Sequence, residues 1–267
     1  MKFTVEGHEE AFAATGGRPF DGGKTTILML HGAGMDHTVW SMQARYFAHH
    51  GFSVLAVDLP GHSRSAGTVP ETISAFADWC LAALDAAGAG EVVVMGHSMG
   101  ALIALEVASR LGARAKALAL LGSVPEMKVH PDLLNAARTG KHVALETMVG
   151  WSVGKRAQIG GHRAPGAWVS GASMRLLEAG DYAVLATDLA ACDTYDGALT
   201  AAAAVTCPAL VLSGSDDKMT PAKLARPLVD ALPDARAVIL PRAGHMMMIE
   251  QPDEVLDVLA DFFGALR

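Results

Sequence analysis

Cysteine is scarce. Cys80, Cys192 and Cys207 are the only three in 267 residues; odd in number and widely spaced, they exclude a disulfide framework and any Cys-x-x-Cys metal or redox site and read as buried free thiols. Positive charge is also in short supply, with 21 Lys and Arg against 28 Asp and Glu. The resulting formal charge of −7 favours solubility and disfavours nucleic acid as a partner. Long hydrophobic runs are missing. The hydrophobic share of 51% is inflated by alanine, and no stretch approaches the ~20 apolar residues of a membrane span. The opening residues carry Lys2 but also Glu6, Glu9 and Glu10, unlike a secretory signal, so the chain reads as cytoplasmic. Its eleven histidines show no spacing that would bring together the three or four ligands of a metal site. They read as structural, and neither metal nor organic cofactor is expected.

What is present is alternation. Apolar strand-like runs at 27–30, 53–57, 91–95, 116–121, 209–213 and 236–240 are separated by helix-like segments, which implies a mainly parallel sheet in an α/β protein. The N-terminal residues around Phe3, Val5 and Ala11–Ala13 can add an antiparallel edge hairpin ending near Gly16 and Gly17. Between Pro125 and Ala204 the strand spacing stops. Helix-like pieces at Pro131–Arg138, Lys141–Gly150 and Asp181–Ala190 follow, broken at Gly160-Gly161 and Pro165-Gly166. The expectation is one core domain, 1–124 and 205–267, with a helical lid inserted at 125–204. An amphipathic helix closes the chain from Pro252 to Leu266.

Chemistry enters at Gly96-His97-Ser98-Met99-Gly100, which follows the apolar run Glu91–Met95 and opens a helix-like stretch, Ala101 to Leu111. Alone the pentapeptide is a weak motif. In a strand–turn–helix context, however, a serine at the tip of the turn is strained and exposed, and glycines two positions away on either side remove collisions with strand and helix. Such a serine needs a base, an acid to orient that base, and two oxyanion donors. Downstream, the run Ala209–Leu212 leads into Asp216 and Asp217, and the run ending at Leu240 leads to His245. Upstream, His31-Gly32-Ala33-Gly34 follows an apolar run, and its free amides nominate Ala33 N–H, with Gly34 next, to join the Met99 amide as oxyanion donors.

At these positions the chain resembles the α/β-hydrolase superfamily, in its lidded, serine-nucleophile branch, over nearly its whole length. The matching stretches are His31–Gly34, Asp58–Ser65, Gly96–Gly100, Gly214–Asp217 with Thr220-Pro221, and Gly244-His245. The resemblance implies the α/β-hydrolase fold: a mainly parallel sheet flanked by helices, with a helical lid. It implies Ser98 as nucleophile, His245 as base and Asp217 as acid. Asp216 is the near alternative, and Glu126 occupies a place where some members carry the acid. One departure is Ser63, where the family's loop has a second glycine. Serine rather than aspartate at position 98 argues against the dehalogenases of the superfamily.

Gly34, His97, Trp151, Trp168 and Met246 are candidates for the substrate pocket, although His97 can equally be structural, and the tryptophans and Met246 ordinary core. The low aromatic and charge content of the lid favours small to medium apolar acyl groups, and the central expectation is hydrolysis of a carboxylic ester. Lactones and carbon–carbon cleavage of diketones use the same triad. A different class, a small-molecule receptor with an intact triad, is also known in the superfamily. The partner expected in every case is a small molecule; whether the chain is a monomer or homodimer is open.

Overall fold

In the computed structural model, residues 1–164 and 166–264 are described. Eight strands form one sheet in the order β1-β2-β4-β3-β5-β6-β7-β8. They are β1 (Lys2–Thr4), β2 (Glu10–Ala14), β3 (Thr26–Leu30), β4 (Ser53–Val57), β5 (Val92–His97), β6 (Ala115–Leu121), β7 (Ala209–Gly214) and β8 (Ala235–Leu240). β1 and β2 form the expected antiparallel edge hairpin, and β2 runs antiparallel to β4. From β4 to β8 every pairing is parallel. Strands β3, β4, β5 and β7 are buried at every residue, as a parallel sheet covered on both faces requires.

The helices of the core are α1 (Ser41–His49), α2 (Ile73–Ala87) and α3 (Met99–Leu111), with α10 (Arg226–Ala231), α11 (Met247–Glu250) and α12 (Pro252–Gly264) near the C-terminus. Thr72 caps α2 by accepting from Ala75 N at 3.1 Å, and Gly88, at φ 71°, ends it. Helix α3 is buried along almost its whole length against β5, β6 and α2. Helices α1 and α12 meet at Phe47 and Phe263, whose ring centroids lie 5.3 Å apart.

Between β6 and β7 lie α4 (Pro131–Arg138), α5 (Val143–Ser152), α6 (Lys155–Gln158), α7 (Val169–Glu178), α8 (Tyr182–Thr194) and α9 (Ala198–Ala204). Helix α7, which begins after exposed Trp168, is absent from the sequence reading, and α9 packs on α3 and α10. Pro165 and the last two positions of the expected C-terminal helix, Ala265 and Leu266, lie outside the described residues. No helix among the described residues is long and apolar enough to cross a membrane.

In a parallel sheet all carboxyl ends point one way, so the loops after β3, β5, β6, β7 and β8 collect along one edge. Open α/β sheets bind ligands there. Ala33, Ser98, Asp217 and His245 all follow such ends.

Candidate active site

Ser98 stands between β5 and α3 with φ 56° and ψ −121°, a left-handed conformation that costs a non-glycine residue about 1–3 kcal/mol. The turn is locked from both sides: Ser98 N donates to Leu121 O at 2.9 Å, and Ser98 O accepts from Ala101 N at 2.8 Å. The flanking glycines are required by space. A Cβ on Gly96 would lie 1.9 Å from Gly100 O, and one on Gly100 would lie 2.3 Å from Leu30 O. Strand and helix can approach this closely only without side chains.

Asp217 Oδ2 accepts from His245 Nδ1 at 2.8 Å and from Thr220 Oγ1 at 2.7 Å, while Oδ1 accepts from Met219 N and Thr220 N, both at 2.8 Å. Its side chain is fully buried. Burial pushes the carboxyl up, yet the charge and hydrogen bond of His245 and the two Thr220 donors outweigh this and hold it well below the usual carboxylate range. An ionised carboxylate at Nδ1 keeps the proton there, which leaves Nε2 free to accept one. Asp216 instead accepts from the Ser215 hydroxyl, and Glu126 is exposed; neither reaches the imidazole.

Ser98 and His245 both line a cavity of about 210 Å³, small beside the roughly 300–1,000 Å³ of common ligand clefts. Among the described residues Ser98 Oγ makes no hydrogen bond to the imidazole; in free enzymes such contacts commonly tighten only with substrate bound. Ala33 joins the lining. Two amides of buried residues, Ala33 at the cavity wall and Met99 next to Ser98, are thus left without a protein acceptor among the described residues. The cavity wall is mostly apolar, with Leu133 of α4, Met148 and Trp151 of α5, Leu177 of α7, Leu189 of α8 and Met246. Lys128, His130 and Lys218 add positive or neutral polar character, and among the described residues no carboxylate lines it.

The pocket expectations divide. Trp151 and Met246 face the cavity. His97 does not: fully buried under the imidazole, it donates through Nε2 to His245 O at 2.9 Å, and its ring centroid lies 4.6 Å from that of His245. Burial first, and then the neighbouring His245 charge, push its pKa well below the ordinary histidine value, so it is a neutral prop. Trp168 is 68% exposed and does not line the cavity; its ring lies over Gly171 of α7. Gly34 lies just behind the wall, with its amide donating at 2.8 Å to Asp188 Oδ2.

Several residues that position this site carry no local sequence signal. Ser152 O accepts from His245 N at 2.6 Å. Buried Glu250 accepts through Oε2 from Gly154 N and Gly244 N, each at 3.0 Å, tying the His245 loop to the start of α6. Burial pushes its carboxyl pKa up against the pull of those donors. Only Thr220 stood within a recognisable motif. Among the described residues one cluster has donor atoms close enough for a metal, Asp36, His37 and Asp58, within 4.8 Å of one another. Its groups are already engaged: Asp36 Oδ1 caps a short helix at Thr38 N, and Asp58 Oδ1 accepts from His37 N and Nδ1.

Comparison with known proteins gives the family. The sequence profile of the alpha/beta hydrolase family matches residues 27–258. The chain is 26% identical over 236 residues to (E)-2-((N-methylformamido)methylene)succinate hydrolase of Acinetobacter baylyi, covering 86% of each chain. It is 28% identical over 264 residues to a pimeloyl-[acyl-carrier protein] methyl ester esterase of Proteus mirabilis, covering 89% of this chain and 92% of that one. Among solved structures, the enol-lactonase of Burkholderia xenovorans superposes with a TM-score of 0.88 at 25% identity, over 99% of this chain and 100% of the other. The match runs from β3 into α12 and takes in every loop that borders the cavity, so the chain belongs to the alpha/beta hydrolase family and is a hydrolase.

Proposed function

We propose that this protein is a serine hydrolase that cleaves carboxylic esters of small to medium, largely apolar substrates through an acyl-enzyme. The observation that carries the reading is the buried Asp217–His245 pair beside a cavity lined by Ser98 at the tip of a strained strand–helix turn. Asp217 holds the imidazole with its proton on Nδ1, so Nε2 takes the Ser98 proton as Oγ bonds to the substrate carbonyl carbon. The carbonyl electrons move to oxygen, where the Ala33 and Met99 amides receive the charge; one such donor is worth about 10²–10³ in rate. Collapse expels the alkoxide, which takes the proton from His245. Water then repeats the sequence and releases the acid.

The segment 125–204 serves as the lid, since α4, α5, α7 and α8 supply most of the apolar wall. The small cavity favours short acyl chains, and a lining with two lysines and no carboxylate disfavours cationic substrates. The same chemistry opens an internal ester, and the likeness to an enol-lactonase supports a lactone as the second reading. The test is steady-state hydrolysis of p-nitrophenyl acetate and butyrate by the wild type and by Ser98→Ala, with folding checked by thermal melting. Turnover lost in folded Ser98→Ala is expected. A folded wild type without multiple turnover on these esters or on simple lactones would refute the proposal and favour a receptor.

A further inference from the structure

Behind the cavity wall lies a buried charge pair for which the proposed chemistry has no direct use. Asp188 of α8 is 0% exposed; its Oδ2 accepts from Gly34 N and from His62 Nε2, both at 2.8 Å, and its Oδ1 has no partner among the described residues. The other ring nitrogen of His62, Nδ1, faces Pro60 O at 3.0 Å. A carboxylate and a carbonyl can only accept, so both ring nitrogens of His62 carry hydrogen and the ring is an imidazolium. Burial opposes that charge, but the Asp188 hydrogen bond and carboxylate outweigh it and raise the His62 pKa.

The ring of His31 lies 4.9 Å from that of His62. Its Nε2 accepts from Leu59 N at 3.1 Å and its Nδ1 donates to Gly32 O at 2.9 Å, which requires a neutral ring. Burial, and then the charge of His62, push its pKa down to about 3, against weaker pulls from Gly32 and Asp58; His37 adds to the lowering. Gly32 O and Ala33 N belong to one peptide unit, so the bonds Gly32 O accepts from His31 Nδ1 and, at 3.2 Å, from Met35 N together set the direction of the Ala33 N–H. The following peptide is fixed from its other end by Asp188 at Gly34 N. Gly34 itself sits at φ +67°, strained for any side chain, and a Cβ there would press to 2.9 Å on the Leu185 methyl of the same helix.

From this arrangement we infer that Asp188 is a positioning residue for the oxyanion hole: a carboxylate on α8 that, through Gly34 and through His62 and His31, orients the Ala33 amide toward the reacting carbonyl. The inference rests on the proposed role of Ala33. It makes the hole depend on the seating of α8, because a helix displaced from the loop takes both anchors with it.

The experiment compares wild type with Asp188→Asn in three readouts: kcat and KM on a p-nitrophenyl ester, the inhibition constant of a trifluoromethyl ketone matched to its acyl group, and amide hydrogen exchange of the peptide spanning 31–36. The ketone adds Ser98 to give a tetrahedral oxyanion, so it reports the hole itself. The expected result is a kcat about 30-fold lower, below the roughly 10²–10³ lost with a whole donor, with KM within threefold. The inhibition constant rises by a similar factor, and exchange in 31–36 becomes at least tenfold faster. A lowered melting temperature with kcat and ketone affinity within twofold of wild type would mean a purely structural pin and would overturn the inference. If Asp188→Asn does not fold, His62→Gln removes the cation and is read the same way. A wild type inactive on esters is a failure of the proposed function, visible without any variant; the exchange comparison then decides alone, unchanged exchange overturning the clamp and faster exchange supporting it.

Discussion

Replacing Asp217 by Asn tests the tautomer logic without changing the shape of the side chain. The amide oxygen can keep the Met219 and Thr220 amides now held by Oδ1 at 2.8 Å. An NH2 then takes the place of Oδ2, which in the wild type accepts from His245 Nδ1 at 2.8 Å and from the Thr220 hydroxyl at 2.7 Å. An amide nitrogen only donates, so Nδ1 must become an acceptor and the ring proton moves to Nε2. An Nε2–H cannot take the Ser98 proton. In a serine protease triad the same change lowers kcat about 10⁴-fold, equivalent to ~5.5 kcal/mol of barrier, and the shared geometry sets that as the expectation here. Stability changes less. Loss of hydrogen bonds to a charged group costs about 1–3 kcal/mol, or roughly 2–12 °C in Tm for a chain of this size. Because the folded carboxyl is held below its ordinary value, its contribution is present above the unfolded carboxyl pKa and is lost as pH falls through the folded one. The variant therefore melts lower than wild type at pH 7, and the difference shrinks on acidification. The assay is kcat on p-nitrophenyl acetate at pH 7, with parallel melts at pH 7 and at about pH 2.5, below the unfolded carboxyl pKa. A folded Asp217→Asn within tenfold of wild-type kcat would refute the reasoning.

Three further outcomes follow from the geometry. Gly96→Ala places a Cβ 1.9 Å from Gly100 O; the backbone must part, and the variant should lose about 3 kcal/mol, some 6–12 °C in Tm, together with most of its activity, which melting and ester assays would show. Ser63, exposed and at φ 45°, makes no hydrogen bond among the described residues, so Ser63→Gly should relieve strain of about 1 kcal/mol and raise Tm by roughly 2–4 °C; a lowered Tm would contradict this. Glu250→Gln keeps an acceptor for Gly154 and Gly244 while removing a buried charge. Since the folded carboxyl pKa is raised, wild-type stability falls as pH rises through it, and the variant should equal wild type at pH 4 and exceed it by about 2–4 °C at pH 8, in melts across that range.

The fold was legible because strands of a covered parallel sheet are apolar throughout: Ile27–Leu30 and Val93–Met95 declare themselves without context. The turn at Ser98 was legible because Gly96 answers a collision with Gly100, only four residues on, within one short motif. Position in three dimensions was not. His97 sits in the motif beside Ser98 yet points beneath His245, since neighbouring residues at a strand end project to opposite sides. Trp168 is as apolar as Trp151, but one precedes α7 on the surface and the other borders the cavity. Asp188 reaches His62 and Gly34 across 126 and 154 positions of the chain, and Glu250 reaches Gly154 across 96. No local pattern records such contacts, and a polar residue on a lid helix reads as solvated until the fold buries it.

The central claim is that Ser98 forms a covalent bond to the substrate acyl carbon, and intact-mass spectrometry after treatment with a fluorophosphonate, followed by peptide mapping, tests it most directly. The account predicts a single adduct on the peptide containing Ser98, loss of esterase activity in step with labelling, and no adduct on Ser98→Ala. Full labelling at another residue, or ester turnover that persists in a protein fully labelled at Ser98, would contradict it.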